Sequence, residues 1–152
     1  MQTITIIIGL PGSGKTTYIK NNSEEFKNAV ICDDYHKSSY KKSHEFKDSI
    51  YYQDLLTALK DGKDVVLTDI VWCKSERLKI LEENVKEVLE KLEMKAKINY
   101  IYFENNREAC KKNVLQRNRS KEKVEREIEL IDAWSPQYVI PQNALIVPIV
   151  AF

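Results

Sequence analysis

The sequence predicts an α/β domain in three layers, a five-stranded parallel sheet sandwiched between helices. Three observations lead there. Short β-branched runs alternate with helix-like stretches along the chain, a glycine-rich segment joins the first run to the first helix, and no repeat or low-complexity tract interrupts the alternation. A chain of 152 residues is long enough to bury one core without disulfides or a structural metal, so residues 1–152 are expected to form a single domain.

The first strand is expected over Thr3 to Ile8, a β-branched run stopped by Gly9 and Pro11, with a helix beginning near Lys15. Ala29 to Cys32 is a second apolar run, ending in Asp33 and Asp34, and a polar, basic loop then carries the chain to about Ser43. From about His44 to Lys60, Phe46, Ile50, Leu55, Leu56 and Leu59 share a helical face, and Gly62 can close that helix in the left-handed conformation. Asp64 to Ile70 predicts a third strand around VVLT with Asp69 at its end. Ser75 is placed to N-cap the next helix, where Leu78, Leu81, Val85, Val88, Leu89 and Leu92 repeat every 3.6 residues. Lys97 to Phe103 is the fourth strand. Asn105 and Glu108 have capping-box spacing for a helix to about Gln116, and a charged helix over Lys121 to Ala133 stops at Ser135-Pro136. The last strand, Ala144 to Val150, contains Pro148, whose missing N–H places it at a sheet edge.

Composition narrows the function classes. With 24 Lys and Arg against 23 Asp and Glu the net charge is +1, so no global field gathers polyanions and any nucleic-acid contact must use a local basic patch. Three widely spaced cysteines fit neither a disulfide framework nor zinc-ligand spacing; they read as reduced thiols of a cytoplasmic protein. No apolar run approaches the length of a membrane span, and no obligate protein partner is indicated.

Gly9-Leu10-Pro11-Gly12-Ser13-Gly14-Lys15-Thr16 satisfies GxxxxGK[ST] between a strand and a helix, the context a P-loop requires. Its backbone N–H groups and the positive end of the following helix suit a nucleotide's phosphates. Gly9, Pro11, Gly12, Ser13, Gly14, Lys15, Thr16 and Thr17 are therefore the expected ATP-binding residues. Lys15 is expected on the β- and γ-phosphates and Thr16 on Mg²⁺.

Asp33, Asp34 and Asp69 end neighbouring strands on the loop's side of the sheet. Kinase chemistry needs one carboxylate to accept the acceptor's proton and another to hold Mg²⁺ through water, although Asp33 and Asp34 equally suit a turn after a strand. Asp69 occupies the Walker B position and is assigned to the metal. Arg117 and Arg119 precede the charged helix, as residues of a mobile lid over about 117–133, where either can stabilise the transferring phosphoryl. The run His36-Lys37-Ser38-Ser39-Tyr40-Lys41-Lys42 mixes cations with an aromatic, a composition suited to phosphate and base contacts and also to an exposed loop. Trp72 is expected in the core, and Cys73 passive.

Taken together, GLPGSGKTT, DDY at Asp33-Asp34-Tyr35, VVLTD followed by Arg77, and QRNRS from Gln116 to Ser120 resemble the 5′-hydroxyl polynucleotide kinase group of P-loop kinases. The resemblance implies sheet order 2-3-1-4-5, Asp33 as general base, a catalytic lid arginine alongside Lys15, and substrate contacts from Asp34, His36, Lys37 and Arg77. It implies transfer from ATP with Mg²⁺ to a nucleic-acid 5′-hydroxyl. His36 and Lys37 stand where the family pattern carries an arginine, and Ile70 and Val71 where polar residues often follow the Walker B aspartate. Those departures keep two alternatives open: a kinase for a small-molecule hydroxyl (nucleoside, sugar or antibiotic), and a non-catalytic NTP-binding regulatory module.

Overall fold

Residues 1–33 and 50–151 are described by the computed structural model of the protein, excluding the side chains of Ile50 and Tyr51. Five parallel strands form one sheet: β1 (Thr3–Ile8), β2 (Ala29–Asp33), β3 (Asp64–Thr68), β4 (Lys97–Phe103) and β5 (Ile146–Val147). Their order is β2-β3-β1-β4-β5, as the resemblance implied. The helices are α1 (Lys15–Asn21), α2 (Ile50–Lys60), α3 (Ser75–Lys91), α4 (Arg107–Gln116) and α5 (Lys121–Trp134), with 3₁₀ turns at Ile70–Cys73 and Ser135–Gln137.

Strand alternation divides the core. Ile4, Ile6 and Ile8 of β1 pack on one face with Leu55 and Leu59 of α2, Leu81, Val85 and Val88 of α3, Val114 of α4 and Ile131 of α5. Ile7 turns to the other face, joining Phe26, Val66, Ile101 and Phe103 beneath Tyr18 and Ile19 of α1. Both faces of β1 are buried from Ile4 onward, so Ile6, Ile7 and Ile8 run on without alternation. In register, Ile7 lies between Thr68 and Ile101, and Asp33 beside Thr68, which sets the carboxyl ends of β1 to β4 level with one another.

Several boundaries differ from the sequence reading. β3 stops at Thr68, because the Asp69 side chain accepts the Val71 N–H at 2.9 Å and turns Ile70 into a 3₁₀ turn. Lys74, not Ser75, is the residue preceding α3, and it makes no side-chain cap bond. Asn106, not Asn105, caps α4, accepting from Ala109 N at 3.1 Å. Asn105 is committed elsewhere: its amide donates to the carbonyls of Ser135 and Tyr138, and the Ser135 hydroxyl donates to it at 2.8 Å.

β5 contributes two residues where seven were expected. Pro148 ends the ladder for want of an N–H, and the following Ile149 N–H is taken by the Glu104 carboxylate at 3.1 Å. The strand does lie at an edge, as Pro148 demanded. Gly62, at φ +75°, closes α2 as foreseen, with Lys63 N donating to Ala58 O at 2.9 Å. The expected start of α2 near His44 falls outside the described residues, as do Asp34, His36 and Lys37.

Candidate functional site

The phosphate loop crosses the carboxyl end of β1 and is built tightly. A Cβ on Gly9 would lie 2.5 Å from Ser13 Oγ, and one on Gly12 would lie 2.4 Å from the carbonyl oxygen of Cys110 in α4. Gly12 (φ +79°) and Gly14 (φ +100°) both occupy the left-handed region, which turns successive N–H groups inward before α1 begins at Lys15. Lys15 curls over its own loop, with Nζ donating to Gly9 O at 2.7 Å, to Leu10 O at 3.1 Å and to Ser13 Oγ at 3.4 Å. The ammonium is thus held at the loop, and Thr16 beside it is exposed at the start of the helix.

Two buried side chains that the sequence reading passed over brace this loop. The Asn113 amide donates to Gly12 O at 3.0 Å and to Val150 O at 2.9 Å, tying the loop to α4 and to the segment after β5. The Tyr138 hydroxyl lies 2.5 Å from Phe103 O and 3.2 Å from Ile8 O, bridging the ends of β4 and β1. Burial raises the Tyr138 pKa, so it remains a phenol donor. Asn113 was visible in principle: with Cys110 and Val114 it falls on the buried stripe of α4, and a buried amide must find partners.

In front of the loop lies a cavity of about 750 Å³. Pro11, Gly12, Gly14, Lys15 and Thr16 form its floor, and Asp33, Ile70, Val71, Lys74 and Arg77 one wall. Arg117, Arg119 and the inner face of α5, with Lys123, Arg126, Glu127, Leu130 and Trp134, close it from above. The cavity therefore brings together Lys15, Thr16, Asp33, Arg77, Arg117 and Arg119, read from the sequence as site residues. Thr17 and Asp69 are not on its surface; Asp69 is fully buried beneath it at the end of β3.

Charge in this space is lopsided. Among the described residues, seven cations, Lys15, Lys74, Arg77, Arg117, Arg119, Lys123 and Arg126, face two carboxylates, Asp33 and Glu127, in a protein whose net charge is +1. Lys74 Nζ sits 4.8 Å from the centre of the Trp134 ring, linking the start of α3 to the end of α5. Glu127 pairs with both lid arginines, reaching Arg117 Nη1 at 3.2 Å and Arg119 Nη1 more closely.

The lid is docked. Ile131 is fully buried, Val124 and Ile128 pack on the core, and Lys111 of α4 meets Asp132 of α5 at 2.6 Å. Trp72 is in the core, and among the described residues the aromatic lining the cavity is Trp134. Burial pushes the Cys73 thiol up to about 12 and the Cys110 thiol up to about 11, each against the pull of the nearby Lys15 ammonium. Burial, with a contribution from Asp54, likewise raises Cys32 to about 12. All three are neutral thiols rather than nucleophiles.

A P-loop at the end of the middle strand of a 2-3-1-4-5 parallel sheet, closed by an arginine-bearing helical lid, gives this chain the fold of the P-loop kinases. The chain belongs to the AAA domain family, whose model matches residues 4–137. It is 30% identical over 143 residues to the uncharacterized protein R277 of Acanthamoeba polyphaga mimivirus, covering 91% of this chain and 88% of that one. Among solved structures, a gluconokinase from Sinorhizobium meliloti 1021 aligns at TM-score 0.58 and 10% identity, over 97% of this chain and 82% of the other. A fungal RNA kinase aligns at TM-score 0.54 and 15% identity, over 97% of this chain but 38% of its own, so this chain spans well under half of that protein. Among the described residues no helix is long and apolar enough to cross a membrane.

Proposed function

We propose that the protein is a kinase that transfers the γ-phosphoryl of ATP to the hydroxyl of a polyanionic acceptor, the 5′-hydroxyl of a polynucleotide. The observation that carries the reading is the seven-cation cavity in front of the phosphate loop, with Asp33 on its wall. A triphosphate engages the loop, Lys15 and one or two arginines. Lys74, Arg77, Lys123 and Arg126 exceed that need and suit phosphates of the acceptor itself. Trp134 offers a ring on which a base can stack. The likeness in fold to a gluconokinase and to a fungal RNA kinase supports the kinase part of the reading.

In this reading Lys15, Arg117 and Arg119 offset charge on the transferring group, and Asp33 accepts the acceptor's proton as its oxygen attacks the γ-phosphorus. Mg²⁺ suits the oxygen donors present. Thr16 would hold it directly and Asp69 through water, and the ion would supply charge neutralisation at the terminal phosphates, easing approach of the attacking hydroxyl. Among the described residues no three His, Cys, Asp or Glu side chains converge on a point, which fits an ion that takes few protein ligands and keeps phosphate and water. The Thr68 hydroxyl, one residue before Asp69 at the carboxyl end of β3, is buried without a hydrogen-bond partner among the described residues.

The test is transfer of labelled γ-phosphate from ATP, with Mg²⁺, to a 5′-hydroxyl oligonucleotide and to a panel of nucleosides, sugars and other small alcohols. The proposal expects oligonucleotide labelling that is lost in Asp33→Asn while ATP binding persists. Labelling confined to the panel would move the acceptor to a small molecule. Binding of ATP without transfer to anything, unchanged in Asp33→Asn, would make the protein a nucleotide-binding module.

A further inference from the structure

Glu127 is an acidic residue on the lid side of the cavity, among Arg117, Arg119, Lys123 and Arg126, and its side chain is only 15% exposed. An anion facing the site of a triphosphate is electrostatically unfavourable unless it serves something else. What it touches is specific. One carboxylate oxygen accepts from Arg117 Nη1 and the other from Arg119 Nη1, so a single side chain spans both guanidiniums.

The local backbone makes that span possible. α4 ends at Gln116 and α5 begins at Lys121; the turn between them is pinned by Arg119 N donating to Arg117 O at 2.9 Å, and the Ser120 hydroxyl accepts from Lys123 N at 3.3 Å. Two like charges two residues apart repel and would splay into solvent. Glu127, two turns into α5, cancels that repulsion and fixes both side chains at the cavity wall.

We propose that Glu127 is a positioning residue: it holds Arg117 and Arg119 as one preorganised pair for the terminal phosphates of the bound nucleotide. The inference rests on the kinase reading for the chemistry, but its test does not need turnover. Each guanidinium engages Glu127 through Nη1, and a rigid fork presents its other N–H groups in fixed directions. With Glu127→Gln the shape is kept and the charge removed. The arginines then lose their common anchor, and the entropy of ordering them is lost from each binding event.

The experiment compares binding of fluorescent ATP and AMP analogues to wild type, Glu127→Gln, Arg119→Ala and the double variant, with melting curves for each. Glu127→Gln is expected to weaken ATP about tenfold and leave AMP unchanged, since only the longer phosphate chain reaches the arginines. The double variant should lose less than the product of the two single losses but more than Arg119→Ala alone, because part of the Glu127 effect runs through Arg119 and the rest through Arg117. Tighter ATP binding in Glu127→Gln would overturn the proposal and make the carboxylate a competitor of the nucleotide. Equal weakening of ATP and AMP with a lowered Tm would reduce it to a structural role, and losses that multiply in the double variant would show the residues acting separately. If wild type binds ATP but transfers no phosphate, the kinase reading fails while this binding cycle still decides the role of Glu127.

Discussion

Gly12→Ala isolates how tightly the phosphate loop is fastened to α4. The substitution adds one methyl at a position with φ +79°, where a Cβ would lie 2.4 Å from the Cys110 carbonyl oxygen and 2.9 Å from Val114 Cγ2. Neither neighbour yields cheaply: the first is helix backbone, and Val114 is fully buried. The left-handed backbone costs an alanine about 1–2 kcal/mol, and overpacking a filled core adds about 1–3 kcal/mol. Gly62→Ala is the matched control, since its φ is +75° and nothing lies within 4 Å of the added carbon. That variant should show the backbone cost alone.

At about 3 °C per kcal/mol for a domain of this size, the expected fall in Tm is roughly 5 °C for Gly62→Ala and roughly 10 °C for Gly12→Ala. The two differ further in function. Relief of the clash requires the loop and α4 to separate by several tenths of an ångström, which misplaces the phosphate N–H groups, so Gly12→Ala alone should also weaken ATP-analogue binding by tenfold or more. Differential scanning fluorimetry with and without ATP reads both effects. Equal Tm losses in the two variants, with ATP binding retained in Gly12→Ala, would refute the claim that the loop is clamped against α4.

Three further outcomes follow from the same structure. Lys15→Ala should reduce γ-phosphoryl transfer by about 10²-fold or more, because an ammonium held at the loop is lost; near-normal turnover in a labelled-ATP assay would contradict its assignment. Tyr138→Phe should cost about 1–3 kcal/mol in urea unfolding, since Phe103 O and Ile8 O lose a buried donor, and an unchanged midpoint would mean that the bridge contributes nothing. Stability should also fall with rising pH in the alkaline range. Thiols of the unfolded chain ionise from about pH 8.5, whereas Cys73 folded is held up to about 12, so its contribution is fully present below the unfolded value and is lost as pH rises toward the folded one. Urea midpoints at about pH 8 and about pH 10 should converge in Cys73→Ala relative to wild type; an identical pH slope would remove Cys73 from the account.

The strands and the helix pattern were legible because both rest on local rules, whereas the sheet order came from the resemblance. A β-branched run between breakers has few alternatives to a strand, and the apolar stripe of α3 repeats too regularly to be read otherwise. The errors fell where a side chain outside the pattern decides the backbone. Asp69 ends β3 by capping a 3₁₀ turn, Asn105 leaves its capping position for Ser135 and Tyr138, and Glu104 takes over the N–H that follows Pro148. None of these choices is encoded in periodicity.

The candidate site divides along the same line. Lys15, Thr16 and Asp33 could be found because a motif or a strand end located them, Arg117 and Arg119 because they precede the charged helix, and Arg77 because the order of motifs resembles a family. Glu127, Lys74 and Trp134 have meaning only once α5 lies over the loop, and in sequence they look like an ordinary charged helix and its aromatic end. Asn113 lay closer to view, as an amide on an otherwise apolar stripe.

The amide of Asn113 has one more consequence, in the order of events during synthesis. It joins the carbonyl of residue 12 to that of residue 150, so the phosphate loop takes its fastening from segments synthesised after it. Closing contacts of such long sequence separation is slow relative to local helix formation. Until residue 113 has been made the loop is therefore present in sequence but not yet braced, and a nascent chain halted before that residue should hold nucleotide poorly even with its P-loop fully exposed.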